Sequence, residues 1–162
     1  MSSTFRALLA AVALNAVFPL TAVATTPASS DAANVAISQQ LLRYEEALNS
    51  SDLDRVMTLY ANDAVFMPQG SLPAVGRDAV RTAYRRVFDS IKLNIRFQID
   101  EIRTLSRDWA YARTRSSGTV KVLGSNQPPG PEANQELFLL HRETGGQWRF
   151  VRYIFATTDS PK

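Results

Sequence analysis

Cysteine is absent from the 162 residues, and histidine occurs once, as His141. The chain therefore forms no disulfide, no thiolate metal site and no cysteine nucleophile, and alone it cannot assemble a three-histidine metal site. Glycine is sparse at seven residues, and none of them falls in a dinucleotide or P-loop spacing. No bound cofactor and no metal is expected. A large excess of one charge is also missing, since 18 basic residues stand against 15 acidic ones. That balance gives no footprint for nucleic acid, and no aromatic or glycine-rich nucleic-acid motif accompanies it. Arg77, Arg81 and Arg85, spaced four apart, read as the solvated stripe of a helix.

The longest apolar run is Ala7–Leu20, interrupted only by Asn15 and Pro19. At 14 residues it falls short of the roughly 20 that span a bilayer. Arg6 precedes it and Ala22-Val23-Ala24, a small-x-small site, follows it. These are the parts of a secretory signal peptide, so residues 1–24 are expected to be removed on export to the periplasm or medium. No stable membrane anchor is expected after cleavage. Residues 25–33, rich in Ala, Ser, Thr and Pro, read as a flexible leader. The folded domain is expected over 34–159, about 125 residues, enough for a core without disulfides.

Within that domain, Ile37, Leu41, Tyr44 and Leu48 fall on one helical stripe. Ser50-Ser51-Asp52 ends this helix and caps a second, whose stripe is Leu53, Val56, Met57 and Tyr60. Ala64–Met67 reads as a short strand stopped by Pro68. Gly76-Arg77-Asp78 opens a third helix, with Val80, Tyr84, Val87, Phe88 and Ile91 on its apolar side. The period then changes. Leu93, Ile95, Phe97 and Ile99 alternate with polar residues, and Ile102 is out of step by one, which predicts a bulge near Asp100-Glu101. Trp109–Val122, Gln135–Arg142 and Gln147–Phe155 read as three more strands, the last two joined at Thr144-Gly145-Gly146. Gln127-Pro-Pro-Gly-Pro reads as a loop. Helices first and strands after them predict an α+β fold, three helices packed on a curved, mainly antiparallel sheet.

The run Arg43-Tyr44-Glu45-Glu46-Ala47-Leu48-Asn49-Ser50-Ser51-Asp52 resembles the opening of ketosteroid isomerases, as do Leu59–Val65 and Gly76–Val80. The same spacing is similar to that of the nuclear transport factor 2-like superfamily, including SnoaL-like proteins. The resemblance covers nearly the whole mature chain and implies a cone-shaped barrel with an apolar pocket, usually in a homodimer. It places Tyr44 at the isomerase's oxyanion-hole tyrosine. It places the general-base aspartate on Met67 or Pro68 and the second oxyanion-hole carboxyl on Phe138, none of which can serve. Steroid isomerisation by that set of groups is therefore excluded.

The expected ligand contacts are Tyr44, Met67, Tyr84, Phe88 and Arg113, and no catalytic residue is assigned. Arg113 enters because Trp109, Tyr111, Arg113 and Arg115 share one strand face that suits a flat ring or an anion. The expected function is an exported pocket protein that binds a small hydrophobic or aromatic ligand. The alternatives are an acid–base enzyme (isomerase, cyclase or dehydratase) and a homodimeric interaction module with a vestigial pocket. A titratable group facing the cavity would favour the enzyme. Leu137–Leu140 is apolar on both strand faces, which predicts a sheet covered by helices on one side and by a second copy of the chain on the other.

Overall fold

The computed structural model describes residues 27–158. The expected signal peptide lies outside the described residues. In chain order the elements are α1 (Pro27–Ser50), α2 (Leu53–Leu59), β1 (Tyr60–Met67), β2 (Ala74–Val75), α3 (Arg77–Ser90), β3 (Ile91–Thr104), β4 (Trp109–Val122), β5 (Gly130–Arg142) and β6 (Trp148–Thr157). The strands form one open sheet in the order β2-β1-β6-β5-β4-β3, antiparallel everywhere except between β1 and β6. The three helices pack on its inner face, as the change of period predicts.

Alternation along each strand divides the sheet into two faces. Ala110, Ala112, Thr114 and Ser116 of β4 and Asn134, Glu136, Phe138 and Leu140 of β5 are buried beneath the helices. Against them lie Ile37, Leu41, Tyr44 and Leu48 of α1, the stripe read from the sequence, with Val56, Met57, Val80 and Tyr84 from the other two helices. The ladder between β3 and β4 slips once, between Ile99 and Glu101, where the broken alternation predicts a bulge.

Strand β3 is an edge, and bare backbone groups on an edge invite pairing with other chains. Helix α1 covers part of that edge with side chains. Asn49 accepts from the backbone N of Ile95 and donates to its carbonyl, each at 2.8 Å. Glu45 accepts from the backbone N of Phe97 at 2.7 Å and pairs with Arg96. The buried carboxylate of Glu45 thus stands in for a missing strand.

Several expected boundaries move. Ile91, read on the apolar side of the third helix, opens β3 instead, since its backbone is extended and pairs with Val122. Helix α1 begins at Pro27 and buries Ala33, so the stretch read as a flexible leader is largely helical. Small residues there cost little helix propensity, and Pro27 stands at the first helical position, where its missing N–H is harmless. Tyr60 belongs to β1 rather than α2, because pairing with Phe150 of β6 takes it into the sheet. Strand β2, two residues long, is too short to leave a period in the sequence. Strand β5 begins at Gly130, five residues early, and contains Pro131. There β5 pairs with β4 alone, since β6 ends at Thr157 opposite Asn134, and a proline fits a locally one-sided ladder.

Gly118 shows how tightly β3 and β4 coil together. It pairs with Ile95, and a Cβ placed on it would stand 2.1 Å from the carbonyl oxygen of Asn94 and 2.8 Å from Cα of Ile95. Both obstacles are backbone, so the strands would have to part. Gly118→Ala should destabilise the fold by roughly 1–3 kcal/mol, the usual cost of overpacking. An unchanged midpoint in urea would contradict the close approach.

Candidate functional site

A cavity of about 130 Å³ lies between the helices and the inner face of the sheet. That is near the size of an engineered cavity of about 150 Å³ that takes benzene, so one six-membered ring fills it. Phe66, Phe97, Phe155, Leu93 and Ile95 supply apolar walls. Polar groups enter from two directions: tyrosines from the helices and β6, and a row of Glu132, Asn134 and Glu136 along β5.

The tyrosines form a hydroxyl chain. Tyr84 on α3 lies between Tyr44 on α1 and Tyr60 on β1; its hydroxyl bonds closely with that of Tyr44 and lies 2.7 Å from that of Tyr60. Tyr44 packs edge-on against Tyr60, Tyr84, Phe138, Phe150 and Tyr153. Burial, foremost, pushes the hydroxyls of Tyr44, Tyr60, Tyr84 and Tyr153 above the ordinary tyrosine value. They stay protonated at neutral pH and act as hydrogen-bond donors, not bases. Tyr44, Tyr84 and Tyr153 line the cavity, while Tyr60 anchors the chain from behind.

Glu136 is the group that changes the chemistry. Its residue is buried, yet it lines the cavity. The register sets Thr114 opposite it on β4 and Phe155 opposite it on β6. Thr114 donates to one carboxyl oxygen at 2.5 Å and Ser116 donates to the other. Those bonds favour the charged form. Burial opposes them more strongly, with help from Asp100 and Glu132, and holds the carboxyl above its ordinary range. Such a group keeps its proton to higher pH than an ordinary glutamate, the usual setting of a carboxyl that does acid–base work.

Of the expected contacts, the structure brings Tyr44 and Tyr84 together in the cavity. Met67 does not line it: alternation on β1 sends Phe66 inward, and Pro68 reaches the cavity just past the strand end. Phe88 packs against Tyr84, but its neighbour Val87 is the wall residue. Arg113 is on the opposite side of the sheet. It bonds Asp100 at 2.9 Å and lies 3.6 Å from Glu101, and Arg115 bonds the same Asp100. The anion that this arginine pair meets is the bulge itself. His141 stacks near Trp109 outside the cavity. Among the described residues, no three metal-ligating carboxylates or histidines converge.

Glu136 goes unread in the sequence although a signal is there. Continuing the inward alternation of Leu140 and Phe138 gives Glu136 and Asn134. The small residues Thr114 and Ser116 read as room for helices, yet their hydroxyls are what a buried carboxyl requires. The position given by the isomerase resemblance, Phe138, is one inward step away on the same strand face.

A SnoaL-like domain model matches residues 41–158. A ketosteroid isomerase-like protein from Erwinia carotovora atroseptica is 31% identical, covering 78% of this chain and 96% of its own, with a TM-score of 0.74. A candidate scytalone dehydratase from Novosphingobium aromaticivorans is 19% identical over 83% of this chain and 89% of its own, with a TM-score of 0.73, and shares the fold. A conserved protein from Planctomyces limnophilus is 22% identical over 78% of this chain and 98% of its own, with a TM-score of 0.69. The chain belongs to the SnoaL-like family of the nuclear transport factor 2-like superfamily.

Proposed function

We propose that the protein is an acid–base enzyme acting on a small, single-ring substrate, with Glu136 as the group that moves the proton. The observation that carries this reading is a buried carboxyl, held above its ordinary range, facing a small cavity whose other walls are largely aromatic and aliphatic. Thr114 and Ser116 fix its orientation. The tyrosine chain supplies neutral donors on the other side of the same small cavity, suited to an oxygen on which charge develops as the proton leaves. Isomerisation and dehydration, the activities in the names of two of the relatives, both require removal of a proton from the substrate. Storage of a neutral apolar ligand explains the apolar walls but gives no use for a desolvated carboxyl.

The test is exchange of the α-protons of cyclohexanone with deuterated solvent, followed by proton NMR. The protein should accelerate exchange well beyond an equal concentration of acetate, and cyclohexanol, which fits but cannot exchange, should block it. Acceleration no greater than acetate's, or insensitivity to cyclohexanol, would remove the reading.

The site of action that we propose is outside the cytoplasm, on the strength of the Ala7–Leu20 run and the site at Ala22-Val23-Ala24. Protein purified from its native host should begin at Thr25 or within a few residues of it. An intact Met1 on the mature chain would contradict export.

We propose further that the protein works as a homodimer through the outer face of the sheet. Phe138 and Leu140 face the helices, so Leu137 and Leu139 are the outward pair. Leu137 pairs directly with Ile154, and the two are 44% and 45% exposed. Tyr111 and Trp109 extend the same face. A two-fold contact would cover this band in both copies at once.

A further inference from the structure

The cavity that holds Glu136 has a second property, its sign. Glu132 and Glu136 line it, and no arginine, lysine or histidine does. The nearest basic groups in sequence register, Arg113 and Arg115, are spent on Asp100 across the sheet. Asp100 itself adds to the negative field felt by Glu136. Around the carboxyls stand aromatic rings, among them Phe66, Phe97, Phe155 and Tyr153.

We propose that the ring taken by this cavity carries a protonated amine, held by Glu136 and Glu132 and by the faces of the aromatic wall. The inference rests on the acid–base reading for the place of the ring and adds the class of substrate. The argument is one of matched charge. An anionic ring would meet two carboxyls and no cation, in a space too small to keep water between them. A neutral ring would gain apolar burial but leave the carboxyls unanswered. An ammonium offers three donors. Glu136 already accepts from Thr114 and Ser116, but a carboxylate has about four acceptor positions, so two stay open. Glu132 accepts from the Asn134 side chain at 2.8 Å, which steadies its carboxyl near the cavity and leaves further acceptor positions. Aromatic faces attract cations as well, more strongly where water is excluded.

The proton balance is simple. A cation arriving beside Glu136 favours its carboxylate form, and any proton it carried leaves to solvent. The amine would thus shift the carboxyl further towards its basic form as it binds.

The experiment compares three rings of one size with the full chain at neutral pH: cyclohexylamine, cyclohexanol and cyclohexanecarboxylate. Calorimetry should find the amine bound at least tenfold more tightly than the alcohol, and the carboxylate weakest. Glu132→Gln and Glu136→Gln should each cut the preference for the amine, and the double variant should remove it. Circular dichroism will establish that the variants fold. Equal or tighter binding of cyclohexanol by the folded wild type, or a preference that survives the double substitution, would overturn the inference. If the preference for amine is absent while cyclohexanone exchange persists, only this inference falls. If the preference is present and exchange is absent, the ligand class is upheld and the acid–base reading falls.

Discussion

Glu136→Gln should slow cyclohexanone exchange by 100-fold to 10,000-fold, the usual contribution of a positioned acid–base group. Glutamine keeps the shape; its carbonyl oxygen still accepts from one of Thr114 and Ser116, and its amide N–H can donate to the hydroxyl oxygen of the other, so the wall of the cavity should survive. The same variant should be more stable than the wild type at neutral pH. The sign follows from the direction of the shift. Burial holds Glu136 above its unfolded value, so the folded state favours the neutral carboxyl. The stability this brings is present in acid, below the unfolded value of about 4.3, and is lost as pH rises through the folded value. Glutamine remains neutral throughout. The gap in melting temperature between variant and wild type should therefore open towards neutral pH and narrow in acid. Exchange by the wild type should rise over the same interval, because the carboxylate is the base. A variant that loses activity and stability together would show that Glu136 only supports the fold.

Leu137→Asp should turn the proposed dimer into a monomer. Leu137 stands in the middle of β5 on the outer face, with Ile154 directly across the ladder and Tyr111 and Leu139 beside them. In a monomer an aspartate there costs little beyond its poor strand propensity, since the side chain is already 44% exposed. At a two-fold contact each charge would lose its water among Ile154, Leu139 and Tyr111 and lie near its own copy, with only Arg113 across the ladder, already held by Asp100 and Glu101, to answer it, which costs enough to separate the two copies. Sedimentation at micromolar concentration should thus show a dimer for the wild type and a monomer for the variant. Cyclohexanone exchange should persist in the monomer, because the whole cavity lies on the other side of the sheet. A wild type that sediments as a monomer would contradict the proposed interface.

Periodicity carried the fold a long way. Fourteen residues of β4, Trp109–Val122, lie within the bounds that alternation and turn residues set, and the bulge at Asp100 follows from one misplaced isoleucine. The helix stripes are legible for the same reason: burial enforces the spacing. Ends were harder to read. Pro27–Ala33 joins α1 because Ala33 finds a buried place, and Gly130–Pro131 joins β5 because β4 reaches out to it. Both are tertiary effects that composition alone does not carry.

The site was legible in part. Tyr44 and Tyr84 lie on helix stripes, and a stripe points inward. Met67 lies off the cavity because a one-residue step on a strand reverses the side chain, and a resemblance gives positions only to within such a step; Arg113 lies off it because its strand face is the outer one. Glu136 needed the register itself. Only the pairing of Thr114 with Glu136 tells that a carboxyl two residues from an apolar core position has hydroxyl partners. The paired arginines show the converse error, since Arg113 and Arg115 share a face with Trp109 in the sequence but find Asp100 in space.

The measurement closest to the central claim is a carbon-13 NMR titration of the Glu136 carboxyl. Protein labelled at glutamate would be titrated alone and with cyclohexanol, and the signal assigned by its loss in Glu136→Gln. The account predicts a midpoint above the ordinary glutamate value of about 4.3 and a resonance that moves when the alcohol enters. A midpoint at the ordinary value, together with a resonance indifferent to the ligand, would contradict it.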